Sequence, residues 1–217
     1  RVGELAFKGW TPDVLDRLTS LHRAAARQRH LPALLSSRRT PSPALVDLRT
    51  AYTRIYKAVA EVTARGEAAA KVLMDRLGAQ LKGAMESGGP VAAITVCQQV
   101  AIPLTTSAGA EFEGVTVKRT TLKPRNPANA PDEQDRAVLE TMAAQSPPQP
   151  TIRWEDGLAH FYRPLMIQEV CLKCHGDPAT FPKELTAALA AAYPADAATG
   201  YALGELRGAI RVTIASP

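Results

Sequence analysis

The residues best equipped for chemistry stand together in "CLKCHGDP", residues 171–178. Cys171 and Cys174 are separated by two residues and His175 follows at once, a C-x-x-C-H pattern. Two thiols three positions apart on one local turn can each add to a vinyl group of a porphyrin. The next residue then sits under the iron, where a neutral imidazole is a good axial ligand. With three Cys and four His in 217 residues, roughly five such matches would arise per ten thousand shuffled chains. Accident is therefore a poor explanation.

Rival chemistries fit less well. Structural zinc needs four ligands, usually two Cys/His pairs, and only Cys97 and the scattered His22, His30 and His160 remain to complete them. A thioredoxin-like dithiol should follow a strand and open a helix, whereas Gly176-Asp177-Pro178 breaks the chain directly after this motif. A plain disulfide has no need of the histidine. The reading is one covalent haem c, held by Cys171 and Cys174 with His175 on the iron. Three residues compete for the sixth iron position: Cys97, His160 and Met166. Each has a plainer role available: a small buried hydrophobe for Cys97, a satisfied strand residue for His160, a core side chain for Met166.

The elements that must position these residues follow from patterning. Ser42-Pro43 is a helix start. Leu48, Tyr52, Ile55, Val59 and Val62, then Ala69, Leu73, Leu77, Leu81 and Ala84, form one apolar stripe. The spacing predicts a long helix over 44–87, bent or divided at Gly66 and ended by Gly88-Gly89. Pro90 opens a second helix with Ile94, Cys97, Ala101 and Leu104 on one face, its last turn weakened by Pro103. "EFEGVTVKRTTL" reads as a strand, and "KPRNPANAP" as a loop without regular structure. Pro131 to about Ala144 reads as a helix with Ala137, Val138, Leu139 and Met142 inward. "TIRWEDGLAHFYRPLMI" reads as a hairpin turning at Glu155–Gly157, with Trp154, Phe161 and Tyr162 as packing residues. A short helix over Phe181–Tyr193 and a last strand in "GELRGAIRVTI" complete the order. Few strands, two of them in a hairpin, favour an α+β domain with an antiparallel sheet over a parallel one.

Charge sharpens the organisation. Residues 1–40 hold eight Lys/Arg against three Asp/Glu, which is the whole net charge of +5; the other 177 residues hold 18 of each. A nucleic-acid protein would carry its basic face on the folded body, so that class of partner is set aside. Residues 1–43 are expected to be a mobile basic extension, and 44–217 the folded domain. No run of 18 apolar residues is present, so no transmembrane helix is expected. Haem c is attached outside the bacterial cytoplasm, yet no signal peptide is visible and the chain begins at Arg1 rather than Met. The expectation is an exported, periplasmic protein whose leading segment, with any membrane anchor, is absent or removed.

Four stretches in order, "GGPVAAITVCQQVA", "KRTTLKPRNPANAPD", "CLKCHGDP" and "YPADAATGYALGELRGAIRVT", carry a family resemblance. Over about residues 67–215 the chain resembles single-haem c-type proteins of a bacterial and cyanobacterial domain-of-unknown-function family with a PAS-like haem domain. The resemblance implies that Cys97 is the second axial ligand beside His175. It also implies a PAS-like antiparallel sheet flanked by helices, and a role in redox sensing or small-scale electron transfer. The haem propionates then need cationic partners; Arg119 and Arg125 are the first choice, Lys123 and Asn126 the second. Arg207 is expected to pair with a carboxylate in preference to a propionate. With both axial positions filled by protein, a sensor or signalling module leads, an electron-transfer cytochrome is the alternative, and an enzyme or gas sensor ranks below both. The redox or signalling partner and the oligomeric state have no signature in the sequence.

Overall fold

The computed structural model describes residues 43–215; the basic extension expected over 1–43 lies outside them, Pro43 apart. The first element is the helical run α1 (Pro43–Ala110), whose two arms meet at Gly88 and Gly89. Gly89 has φ +66 and ψ −159, a conformation open to glycine and strained for other residues. The break therefore falls where Gly88-Gly89 predicted it. The first arm, about 65 Å long at 1.5 Å per residue, lays Ile55, Val59, Val62, Ala69 and Leu73 into the main core.

Gly66 neither bends nor divides that arm. A Cβ there would fall 2.3 Å from the Phe161 ring, so the glycine lets a strand residue rest on the helix backbone. Pro103 does not end the second arm, which runs on to Ala110. Thr105, Thr106 and Ser107 return hydroxyl hydrogen bonds to the carbonyls of Ala101, Ile102 and Leu104 in the turns around the proline. The stretch Thr53–Ala110 contains an 18-residue window of mean hydropathy 1.3, which by length and composition suffices to cross a membrane. That corrects the expectation of no such helix, although the run is broken at Gly88-Gly89.

Four strands follow, β1 (Val115–Thr120), β2 (Thr151–Glu155), β3 (Leu158–Met166) and β4 (Leu206–Ala215). They form one antiparallel sheet in the order β1-β4-β3-β2. The β2–β3 turn has positive φ at Asp156 and Gly157, the backbone a two-residue hairpin requires. Alternation sends Val115, Ile152, Trp154, Phe161, Ile210, Val212 and Ile214 to the face covered by α1. Arg119, two places past Val117, follows the same face.

The other face meets α2 (Glu133–Ala143), capped by Asp132. Val138, Leu139 and Met142 pack there on Tyr162 and Ala209; Ala137, expected inward, is exposed. Asp135, fully buried, accepts from Lys118 at 2.9 Å, Arg211 at 3.0 Å and Tyr162 at 3.0 Å, tying α2 to three strands. The α+β class and the antiparallel sheet are as expected from the sequence.

Candidate functional site

The cysteine motif closes a short helix, α3 (Glu169–His175). Gly176 ends it with an N–H···O bond to Leu172 at 2.9 Å; any side chain there would press on the Leu172 carbonyl, 2.6 Å from the Cβ position. A motif that ends a helix, instead of opening one, is poorly placed for a thioredoxin-type dithiol. Among the described residues, no three His, Cys, Asp or Glu side chains gather as a metal-ligand set, which disfavours zinc.

Three separate elements bring the sequence candidates together. A cavity of about 190 Å³ is lined by Cys97 from the second arm of α1, by Cys171, Cys174 and His175 from α3, and by Arg119 from β1. Ile94, one turn before Cys97, packs with Cys174, Leu185, Leu189 and Tyr193. Leu185 and Leu189 belong to α4 (Lys183–Ala192), which holds the arm against the motif. All three cysteines are unpaired thiols. A larger cavity, about 500 Å³, adjoins the first. The two share Leu81, Arg119, Asn129, Cys171, His175 and Arg207 in their walls.

His175 is held in one tautomer. Its Nδ1 lies 2.7 Å from the Ala198 carbonyl, which can only accept, so Nδ1 carries the proton and Nε2 keeps its lone pair. Burial, with Arg125 and Arg207 nearby, drives its pKa down to about 3, so the ring is neutral at physiological pH. Cys97 is pushed up by burial and pulled down by the guanidinium groups of Arg119 and Arg125. Cys174 is also raised, by burial first.

The loop after β1 and the segment 194–201 lock the motif in place. Arg125 Nε bonds Asp196 at 2.9 Å, and its Nη2 donates to the Cys174 carbonyl at 2.5 Å. Arg125 is thus engaged by the protein itself, and so are the second-choice residues. Lys123 donates to Thr199 at 2.6 Å and sits 4.2 Å from the centre of the Tyr201 ring. Asn126 caps the 3-10 turn Pro127–Asn129, a short piece of regular structure inside a loop expected to have none. Arg207 finds no carboxylate partner among the described residues, contrary to expectation; it donates to Thr121 Oγ1 and the Lys123 carbonyl. Its place explains this. Leu165 pairs with Gly208 and Met166 with Leu206, so Arg207 is the extra residue of a bulge, a device that re-aims side chains.

Of the other sixth-ligand candidates, His160 bonds Thr213 at 2.8 Å and lines neither cavity. Met166 lines the larger cavity, without Cys97. Trp154, Phe161 and Tyr162 are core residues. Sequence reasoning missed the Ala198 carbonyl, which has no side-chain signature, and Asp196, whose role needs its partner Arg125 in view.

The model of the Tll0287-like family matches residues 23–215, beginning well before the resemblance seen from about residue 67. No curated protein matches the chain. Among solved structures, it is similar to the crystal structure of the cyanobacterial haem-protein Tll0287. The identity is 24% and the TM-score 0.53, over 74% of this chain and 96% of that one; at that identity the likeness shows the fold. Since the family model covers most of its length, the chain belongs to the Tll0287-like family.

Proposed function

We propose that this chain binds one haem c covalently through Cys171 and Cys174, with His175 and Cys97 as the axial ligands, and works as a redox-responsive signalling module. The observation that carries the reading is the convergence of Cys97, Cys171, Cys174 and His175 on one cavity. The residues present fit the group. The His175 tautomer leaves Nε2 free to ligate, with its other nitrogen fixed by a backbone carbonyl, as ligand histidines usually are. Arg119 Nε is buried without a hydrogen-bond partner among the described residues, which suits a pocket that takes an anionic ligand. The cyanobacterial protein whose crystal structure shares this fold is a haem-protein, which supports the same reading.

The group would supply a one-electron iron couple. The chain's own part is to hold and tune it. A thiolate at Cys97 would favour the oxidised iron and a low potential; burial holds the Cys97 thiol above its ordinary value, and Arg119 and Arg125 offset only part of that rise. Two protein ligands would leave no open iron position for a substrate, so we assign no catalysis. The four-stranded antiparallel sheet between α1 and α2 is read as PAS-like, and the site of haem c attachment as an exported compartment. Val170, 44% exposed beside Cys171 and part of the cavity wall, gives the site an apolar edge through which an electron-transfer role would work. A slow outer-sphere exchange rate, measured on the haem-loaded protein, would favour the signalling role over that one, and a fast one the electron-transfer role.

The test is expression of the chain with a haem c attachment system, followed by denaturation, acidic solvent extraction and a pyridine haemochrome spectrum. Haem that stays with the polypeptide at one per chain is expected. Haem that extracts completely would contradict covalent binding.

A further inference from the structure

Three buried side-chain N or O atoms lack a hydrogen-bond partner among the described residues: Arg119 Nε, Thr120 Oγ1 and Arg211 Nε. Arg119 lines both cavities, on the α1 face of the sheet; Thr120 pairs with Ala209 and turns its side chain to the α2 face. A buried polar atom without a partner is costly, and one on a charged side chain in a cavity wall points to an absent polar ligand.

The charges point the same way. Arg119 makes no side-chain hydrogen bond or ion pair among the described residues. Arg207 has a hydroxyl and a carbonyl for partners and no carboxylate. Burial, first of all, lowers the pKa of both; Arg207 adds to this at Arg119 and Arg125 at Arg207, while Cys97 and Tyr193 work against it at Arg119 and Tyr201 and Asp196 at Arg207. Arg119 and Arg207 stand in the wall common to both cavities. Arg125 lines the smaller one alone, and its charge is met by Asp196.

We propose that Arg119 and Arg207 form the clamp for the two haem carboxylates, at the junction of the two cavities, and that Arg125 is a brace of the motif instead; this rests on the haem reading above. Two guanidinium groups without an ion-pair partner among the described residues match two carboxylates. The bulge that re-aims Arg207 is the fold's contribution to the clamp. The carboxylates complete the site electrostatically, as Asp196 already does for Arg125.

The test uses the haem-loaded protein and the pH dependence of its midpoint potential. Deprotonation of a haem carboxylate adds negative charge near the iron and lowers the potential, so the curve breaks at the carboxylate pKa. A cation beside the carboxylate lowers that pKa. Arg119→Gln and Arg207→Gln should each move the break upward by about one pH unit, a roughly tenfold gain in proton affinity. Arg125→Gln should leave the break in place and lower the melting temperature. Arg119→Lys should largely restore the wild-type break. A break that moves in Arg125→Gln and stays in Arg119→Gln and Arg207→Gln would overturn the clamp while leaving covalent haem intact. A wild-type chain that retains no haem on extraction would overturn the haem reading itself, and the clamp with it.

Discussion

Two clusters of charge flank the sheet, and they are built on opposite terms. Under α2, Asp135 is fully buried and met by Lys118, Arg211 and Tyr162, with Asp132 taking a second bond from Arg211 at 2.7 Å. Around the cavities, Arg119, Arg125 and Arg207 are served by the single carboxylate of Asp196. The charges of the first cluster are met within the protein, with Arg211 Nε its one buried nitrogen lacking a partner among the described residues, and it fixes the fold. The second is left short of negative charge, which is the condition of a site that a ligand completes. Burial of charge costs free energy unless it is paired, so the shortage marks where function has been favoured over stability.

Breaking the closed cluster should have the largest effect. Asp135→Ala leaves Lys118 and Arg211 without their buried partner, and we expect a loss of about 3 kcal/mol in chemical denaturation, with the haem-ligand spectrum unchanged once the protein is folded. Arg125→Gln removes the one closed pair in the open cluster and the bond to the Cys174 carbonyl. A loss of about 1–2 kcal/mol should follow, read by the same denaturation curve. Arg119→Met is the sharper contrast: in the haem-free chain it removes a charge that lacks a partner, so stability should stay level or rise by up to about 1 kcal/mol. A loss as large as that of Asp135→Ala would mean the two clusters are alike.

The smallest expected effect is on pH dependence. Burial raises the Asp132 pKa, but the amide of Asp135 and the charges of Arg211 and Lys118 outweigh it, so the carboxyl stays below its usual range. A depressed carboxyl contributes stability above the unfolded-state pKa, near 3.9, and that contribution is lost as pH falls through the lower folded value. Asp132→Asn should therefore flatten the acid limb of the stability curve below about pH 4 and change little at neutral pH beyond the loss of the ion pair.

Much of the site was legible because its chemistry is local. C-x-x-C-H is contiguous, the Gly88-Gly89 break follows from the backbone freedom of glycine, and the Asp156-Gly157 turn from residue types that accept positive φ. The long apolar stripe of α1 needs only helical periodicity. What stayed hidden depends on partners far along the chain. Gly66 looked like a helix defect because Phe161, which fills the space above it, is 95 residues away. Arg125 looked free because Asp196 is distant, and Arg207 looked paired because a β-bulge leaves no mark in a single sequence. Asp135 carried no signal in the sequence, since its burial depends on three strands. Ala137 was placed inward by a stripe one residue too wide, and alanine is small enough to fit on either side.

The central claim is that the thiolate of Cys97 and the imidazole of His175 complete one covalent haem site. The most direct test is the absorption spectrum of the oxidised haem-loaded protein compared with that of Cys97→Ser. The account predicts that the variant keeps its covalent haem through Cys171 and Cys174 but shows an altered oxidised spectrum and a higher midpoint potential, because the anionic sulfur has left the iron. A variant with covalent haem and an unchanged oxidised spectrum would contradict it.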